Sequence, residues 1–97
     1  MANPTQTRGY SANRDTVLKR LRRIEGQVRG VERMVGDDRY CIDVVTQVTA
    51  IQAALDKVAL ELLQDHAKHC VVGATGAMQN ERTDELMGAV RRLLRHG

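Results

Sequence analysis

Val44, Val48, Ile51, Leu55, Val58 and Leu62 recur at alternating spacings of four and three residues. An apolar repeat of roughly 3.5 residues, sustained that far, specifies a helix that turns one seam toward another helix. Val45, Ala54, Ala59 and Leu63 flank the seam. The spacing predicts a helix that begins near Arg39 and runs at least to Cys70, about 45 Å long. Such length belongs to bundles and coiled coils rather than to a small globular core.

A second seam precedes it. Val17, Leu21, Ile24, Val28, Val31 and Val35 follow the same spacing, with Leu18 and Met34 broadening the stripe. Ser11 or Asn13 is placed to cap this first helix, and Asp15 falls in its opening turn, where the helix dipole favours an acid. Gly36 followed by Asp37-Asp38 is expected to end it and to cap the next helix. Gly73-Ala74-Thr75-Gly76 interrupts the long seam. A short third helix is expected from about Thr83, as N-cap, through Leu86, Met87, Val90, Leu93 and Leu94 to Arg95. No run alternates apolar and polar residues as a strand would. The expected fold is all-α, a three-helix protomer with the long central helix as its spine. Residues 1–10, polar and holding the single proline at position 4, read as a disordered tail, and 11–97 as one helical domain.

Ninety-seven residues give a core of marginal size. Tyr10 and Tyr40 are the sole aromatics, so the core must be Leu, Val, Ile, Ala and Met. Long helices in this position acquire the missing core by oligomerising. Charge is unevenly placed: Arg8 to Arg33 holds eight basic residues against three acidic, and from Cys41 onward there are six basic against seven acidic. Such a run is commonly a solvated face, but one this one-sided points to a polyanion, with nucleic acid as the leading candidate. No export signal and no membrane-length apolar segment is visible, so a cytoplasmic protein is expected. Thiols stay reduced there, which makes two cysteines better candidates for ligands or redox sensing than for a disulfide.

Those cysteines are Cys41 and Cys70, and His66 stands four residues before the second. Residues i and i+4 share one helix face, whereas Cys41 lies about 37 Å of helix rise from His66. No single ion bridges that distance. The three donors meet if helices from two copies run antiparallel, with a crossing near residues 53–56 where Ala50, Ala53 and Ala54 allow close approach. Taken singly, each donor is more often core packing than ligand. Together, two thiols and an imidazole form a soft set that selects Cu(I), zinc or an iron–sulfur cluster. Structural zinc normally takes four protein ligands and clusters usually four cysteines, so three donors favour Cu(I). His69 is turned about 100° from Cys70 on a helix and is expected outside the ligand set.

The run Leu18-Lys-Arg-Leu-Arg-Arg-Ile-Glu-Gly-Gln-Val-Arg-Gly30, then Arg33-Met34, Tyr40-Cys41-Ile42-Asp43, Gln47 and His66-x-x-x-Cys70 resembles the copper-sensitive operon repressor family. The likeness extends from about Gly9 to Leu94. It implies an antiparallel, four-helix-bundle-type homodimer that pairs into a homotetramer. It further implies binding to operator DNA when metal-free and release when Cu(I), one per protomer, binds Cys41, His66 and Cys70. By the same resemblance Tyr40 and Glu85 contact the ligand histidine, with Glu81 a competitor for the acid. Arg20 and Lys57 fall on positions implicated in operator binding, and Lys19, Arg22 and Arg23 extend the basic face of the first helix. Gly36-Asp37-Asp38 joins two long helices rather than forming a helix-turn-helix, so recognition through phosphates and DNA shape is expected.

Other readings explain less. An enzyme would need a substrate pocket or an oxyanion loop that the sequence does not announce. A structural zinc-bridged dimer leaves the basic first helix without a purpose. A persulfide or thiol-redox sensor, or a sensor of another metal, within the same family is the nearest competitor, and a persulfide sensor would leave His66 idle.

Overall fold

The computed structural model describes residues 13–96; the expected 1–10 tail and Ser11 as an alternative cap lie outside them. Three α-helices follow in order: α1 (Arg14–Gly36), α2 (Cys41–His66) and α3 (Gly76–His96). A π turn (Ala67–Val71) continues α2. No strand occurs among the described residues, and none of their helices is long and apolar enough to cross a membrane. The all-α, three-helix expectation holds, with α2 the longest element.

The chain divides into two compact units. One is Asp15–Val58; the other begins at Ala59 and takes in Asn13 and Arg14. In the first unit, Arg20, Arg23 and Ile24 of α1 and Ala54 and Lys57 of α2 line one pocket. With the chain reversing at residues 37–40, this sets the two helices antiparallel. Val17, Ile24 and Val58 are buried, all three on the predicted seams. In the second unit, Leu62 and Leu63 face Ala89 and Arg92, so α3 folds back along the end of α2.

The α1–α2 turn departs from expectation. Arg39 N–H donates to the Met34 carbonyl (2.9 Å) and Asp38 N–H to the Val35 carbonyl (3.1 Å), the paired bonds of a Schellman ending. Asp38, not Gly36, takes the left-handed position, at φ 53°; Gly36 remains helical. Neither aspartate caps α2. The Tyr40 carbonyl accepts the first bonds of that helix, from the N–H groups of Asp43 (3.0 Å) and Val44 (3.2 Å). Asp43 still supplies an acid in the first turn, favoured there by the dipole.

Two other boundaries differ. Regular α-helix stops at His66 rather than Cys70, because the next turn is widened: Val72 N–H donates to the Ala67 carbonyl, five residues back, at 3.0 Å. The turn is closed tightly behind. A Cβ on Gly73 would stand 3.1 Å from the His69 carbonyl oxygen, and the Gln79 side chain donates to the Val71 carbonyl at 3.3 Å. The third helix begins at Gly76 (φ 59°), well before Thr83. Thr83 is no cap: its hydroxyl donates to the Gln79 carbonyl at 2.8 Å, the i−4 bond of a mid-helix threonine. Ala77, Met78, Gln79, Glu81 and Arg82 are strong helix formers with no apolar period among them, so periodicity alone placed the start too late.

Asp38 occupies a backbone region that costs a non-glycine residue about 1–2 kcal/mol. Asp38→Gly is expected to raise unfolding stability by about 0.5–1 kcal/mol, and Asp38→Val to lower it by about 1–2 kcal/mol. Urea unfolding of the two variants beside the parent measures both.

Candidate metal centre

The predicted donors sit at the two ends of one helix. Cys41 is the first residue of α2 and His66 the last; Cys70 lies in the π turn. Cys41 is exposed and Cys70 half-buried, and neither is in a disulfide. Among the described residues, no three His, Cys, Asp or Glu side chains of the single chain gather closely enough to hold an ion. Tyr40 directly precedes Cys41 with its side chain 67% exposed. His69 is exposed beside Cys70 in the π turn.

The π turn bears on the His66–Cys70 pair. In an α-helix, residue i+4 overshoots a full turn by about 40°. The π turn begins directly after His66 and contains Cys70, so the pair departs from the plain α-helical i, i+4 offset. Single π turns of this kind recur at functional sites.

His66 is held by backbone. Its Nε2 lies 3.3 Å from the Arg82 carbonyl oxygen, and because a carbonyl only accepts, Nε2 carries the proton. In the neutral ring this tautomer leaves the Nδ1 lone pair for a metal. The imidazole lines an open cavity of about 530 Å³ together with Leu62, Asp84, Glu85 and Arg92. Glu85 thus shares a cavity with the ligand candidate, whereas Glu81 is exposed on α3 and does not line it. The Glu85 carboxylate accepts from Arg82 Nη1 at 2.7 Å.

Two partners in this region went unnoticed in the sequence. Asp65, next to His66, is 5% exposed, and Asn13 Nδ2 donates to both its carboxylate oxygens, at 2.9 and 3.0 Å. Extending the four-three spacing three residues past Leu62 lands on Asp65. An acid on a buried seam is the signal that marks it. Arg82, which touches both His66 and Glu85, has no such signature, because its contact with His66 is made by backbone.

The predicted basic residues divide. Arg20, Arg23 and Lys57 line one open pocket of about 200 Å³ with Gln27, Ile24 and Ala54, so three cationic residues and an amide border the same surface hollow. Lys19 and Arg22 are exposed on α1 and do not line it.

Comparison with known proteins adds a family. The model of the family described as metal-sensitive transcriptional repressor matches residues 13–92. The chain is 47% identical over 94 residues to the copper-sensing transcriptional repressor RicR of Mycobacterium tuberculosis, covering 94% of this chain and 98% of that protein. It is 51% identical over 72 residues to the copper-sensing transcriptional repressor CsoR of Bacillus subtilis, covering 74% and 71%. Among solved structures it is similar to the copper-sensing repressor CsoR with Cu(I) from Geobacillus thermodenitrificans. That likeness has a TM-score of 0.76 and 47% identity over 87% of this chain and 88% of that one. The nickel-responsive transcriptional regulator InrS is similar at a TM-score of 0.70 and 40% identity, over 81% and 90%.

A buried carboxylate that loses its donors is costly. Asn13→Ala is expected to lower stability by about 1–3 kcal/mol, and Asn13→Asp by more, since it sets like charges together. Urea denaturation checks this; an unchanged midpoint in Asn13→Ala would mean that solvent replaces the amide without loss.

Proposed function

Because the chain belongs to the metal-sensitive transcriptional repressor family, we propose that it is a Cu(I)-responsive repressor, bound to operator DNA when metal-free and released when Cu(I) binds. As a member of a repressor family it is not an enzyme. The observation that carries the copper reading is the donor arrangement: one α-helix opens on Cys41 and closes on His66, with Cys70 on the next turn. A helix keeps its own ends apart, so the three donors converge when two copies of α2 lie antiparallel. Cys41 of one protomer then meets His66 and Cys70 of another, giving one site per protomer.

Chemistry and relatives agree on the metal. A closed-shell soft cation such as Cu(I) accepts two thiolates and one imidazole without needing a fourth ligand. RicR and CsoR, which cover the chain at 47% and 51% identity, are copper-sensing repressors by name. On this side the protein supplies three things. Nδ1 of the neutral His66 ring offers the lone pair, Nε2–H is left to donate to Glu85 or to Tyr40 of the partner subunit in place of the Arg82 carbonyl, and the π turn carries Cys70. The dimer is proposed to associate further into a tetramer, which multiplies the basic faces presented to DNA.

Operator binding is assigned to α1 and the facing part of α2. Arg20, Arg23 and Lys57 around their pocket suit a backbone phosphate, with Lys19 and Arg22 adding charge alongside. Phosphate contacts fix register and carry most of the affinity. Coupling is reciprocal: copper drives release only if the DNA-bound form binds copper more weakly.

Arg20→Ala is expected to weaken operator binding by about tenfold while leaving copper stoichiometry intact, and parent affinity should fall steeply with salt. Unchanged binding with a flat salt response would place the DNA site elsewhere. Mixed dimers of Cys41→Ala and Cys70→Ala subunits test the shared site directly. One of their two sites keeps all three donors and the other loses two thiols, so half the copper of the parent should bind. Sites confined within single chains would all be damaged, and none would bind as the parent does. His66→Ala should retain copper on two thiolates yet stay on DNA, as gel-shift titration under nitrogen would show.

A further inference from the structure

Arg82 makes two contacts at the candidate centre, one from its backbone and one from its side chain. Its carbonyl accepts the His66 Nε2–H at 3.3 Å, while its guanidinium donates to the Glu85 carboxylate at 2.7 Å. We propose that Arg82 is a positioning residue that keeps the metal-free imidazole and its acid partner apart, holding His66 by its carbonyl and Glu85 by its guanidinium. The inference rests on the reading of His66 as a ligand and Glu85 as its acceptor.

The geometry of α3 explains why one residue does both. A backbone carbonyl has two lone pairs, so Arg82 can serve its helical N–H and still accept from an imidazole. Glu85 lies three residues on, over the same face, and helical side chains lean toward the N-terminal turn. Its carboxylate therefore hangs back toward the level where His66 donates, and both residues line one cavity. A carboxylate is a stronger acceptor than a neutral carbonyl, and 3.3 Å is long for an N–H···O bond. The imidazole thus prefers Glu85 once that carboxylate is released. The guanidinium withholds it. Giving the Nδ1 lone pair to a metal strengthens Nε2–H as a donor and tilts the exchange toward Glu85.

The Arg82–Glu85 pair is partly exposed, at 38% and 48% of its side chains. Screened pairs of this kind shift an equilibrium by about two- to fivefold. The contact therefore trims the switch rather than locking it.

Arg82→Ala keeps the carbonyl and removes the guanidinium. It is expected to tighten Cu(I) binding, read against a chromophoric Cu(I) chelator under nitrogen, by about two- to fivefold. The same shift of the two-state balance should weaken operator binding of the metal-free protein by less than it tightens copper, wherever the DNA-binding form already dominates. Arg82→Lys should stay close to the parent. Loss of a cation near DNA could mimic the second effect, so the same substitution is made in a Glu85→Gln background, where both effects should vanish. Unchanged Cu(I) affinity in Arg82→Ala, or effects that persist with Glu85→Gln, would overturn the proposal while leaving the copper reading in place. If His66→Ala responds to copper as the parent does, the reading beneath it is wrong and the proposal falls with it.

Discussion

Part of the apolar α2 seam stays in water among the described residues of a single copy. Val48 and Leu55, both on that seam, remain 38% and 44% exposed. Among apolar side chains of the described residues, Val17, Ile24 and Val58 alone are buried. Each Leu or Val side chain left in water forgoes about 1.5–3 kcal/mol of burial, so a stripe of them favours association with a second helix. The proposed function follows from this exposure. Under the proposed function, a helix that pairs with a second copy and carries soft donors at its opening and its close would make association and site assembly one event.

The polar groups near His66 show how such a site is conditioned. Asn13 holds the buried Asp65 carboxylate beside it, and Asn13 directly precedes the first residue of α1. The Asn13–Asp65 contact thus lies within the unit that also carries the imidazole. On the other side, α3 supplies the Arg82 carbonyl to Nε2 and the Gln79 side chain to the π turn. His66 is therefore steadied through its neighbours in sequence and through α3. That arrangement suits a sensor better than a purely structural metal clip, whose ligands need no second set of connections.

The sequence made the helices legible where apolar residues keep a period. Both seams of α1 and α2 were readable, and the buried Val17, Ile24 and Val58 lie on them. It failed where structure depends on backbone or on polar residues. The first turns of α3 are helical through propensity without periodicity, so their start was misplaced. The left-handed turn fell on Asp38 although Gly36 was available, because the pair of Schellman bonds fixes the position by register and not by residue preference. The π turn and the Arg82 carbonyl leave no mark in residue identity. The candidate donors were legible as types and spacings, since thiols and imidazoles are rare in this chain: two cysteines and three histidines. What surrounds them was not, because backbone acceptors carry no signature.

Anaerobic titration of Cu(I) into the protein bound to fluorescent operator DNA tests the central claim most directly. The anisotropy should fall to that of free DNA, with the change complete at one Cu(I) per protomer. DNA that stays bound through excess copper, or that is released by persulfide and not by Cu(I), would contradict the assignment of this chain as a copper-responsive repressor.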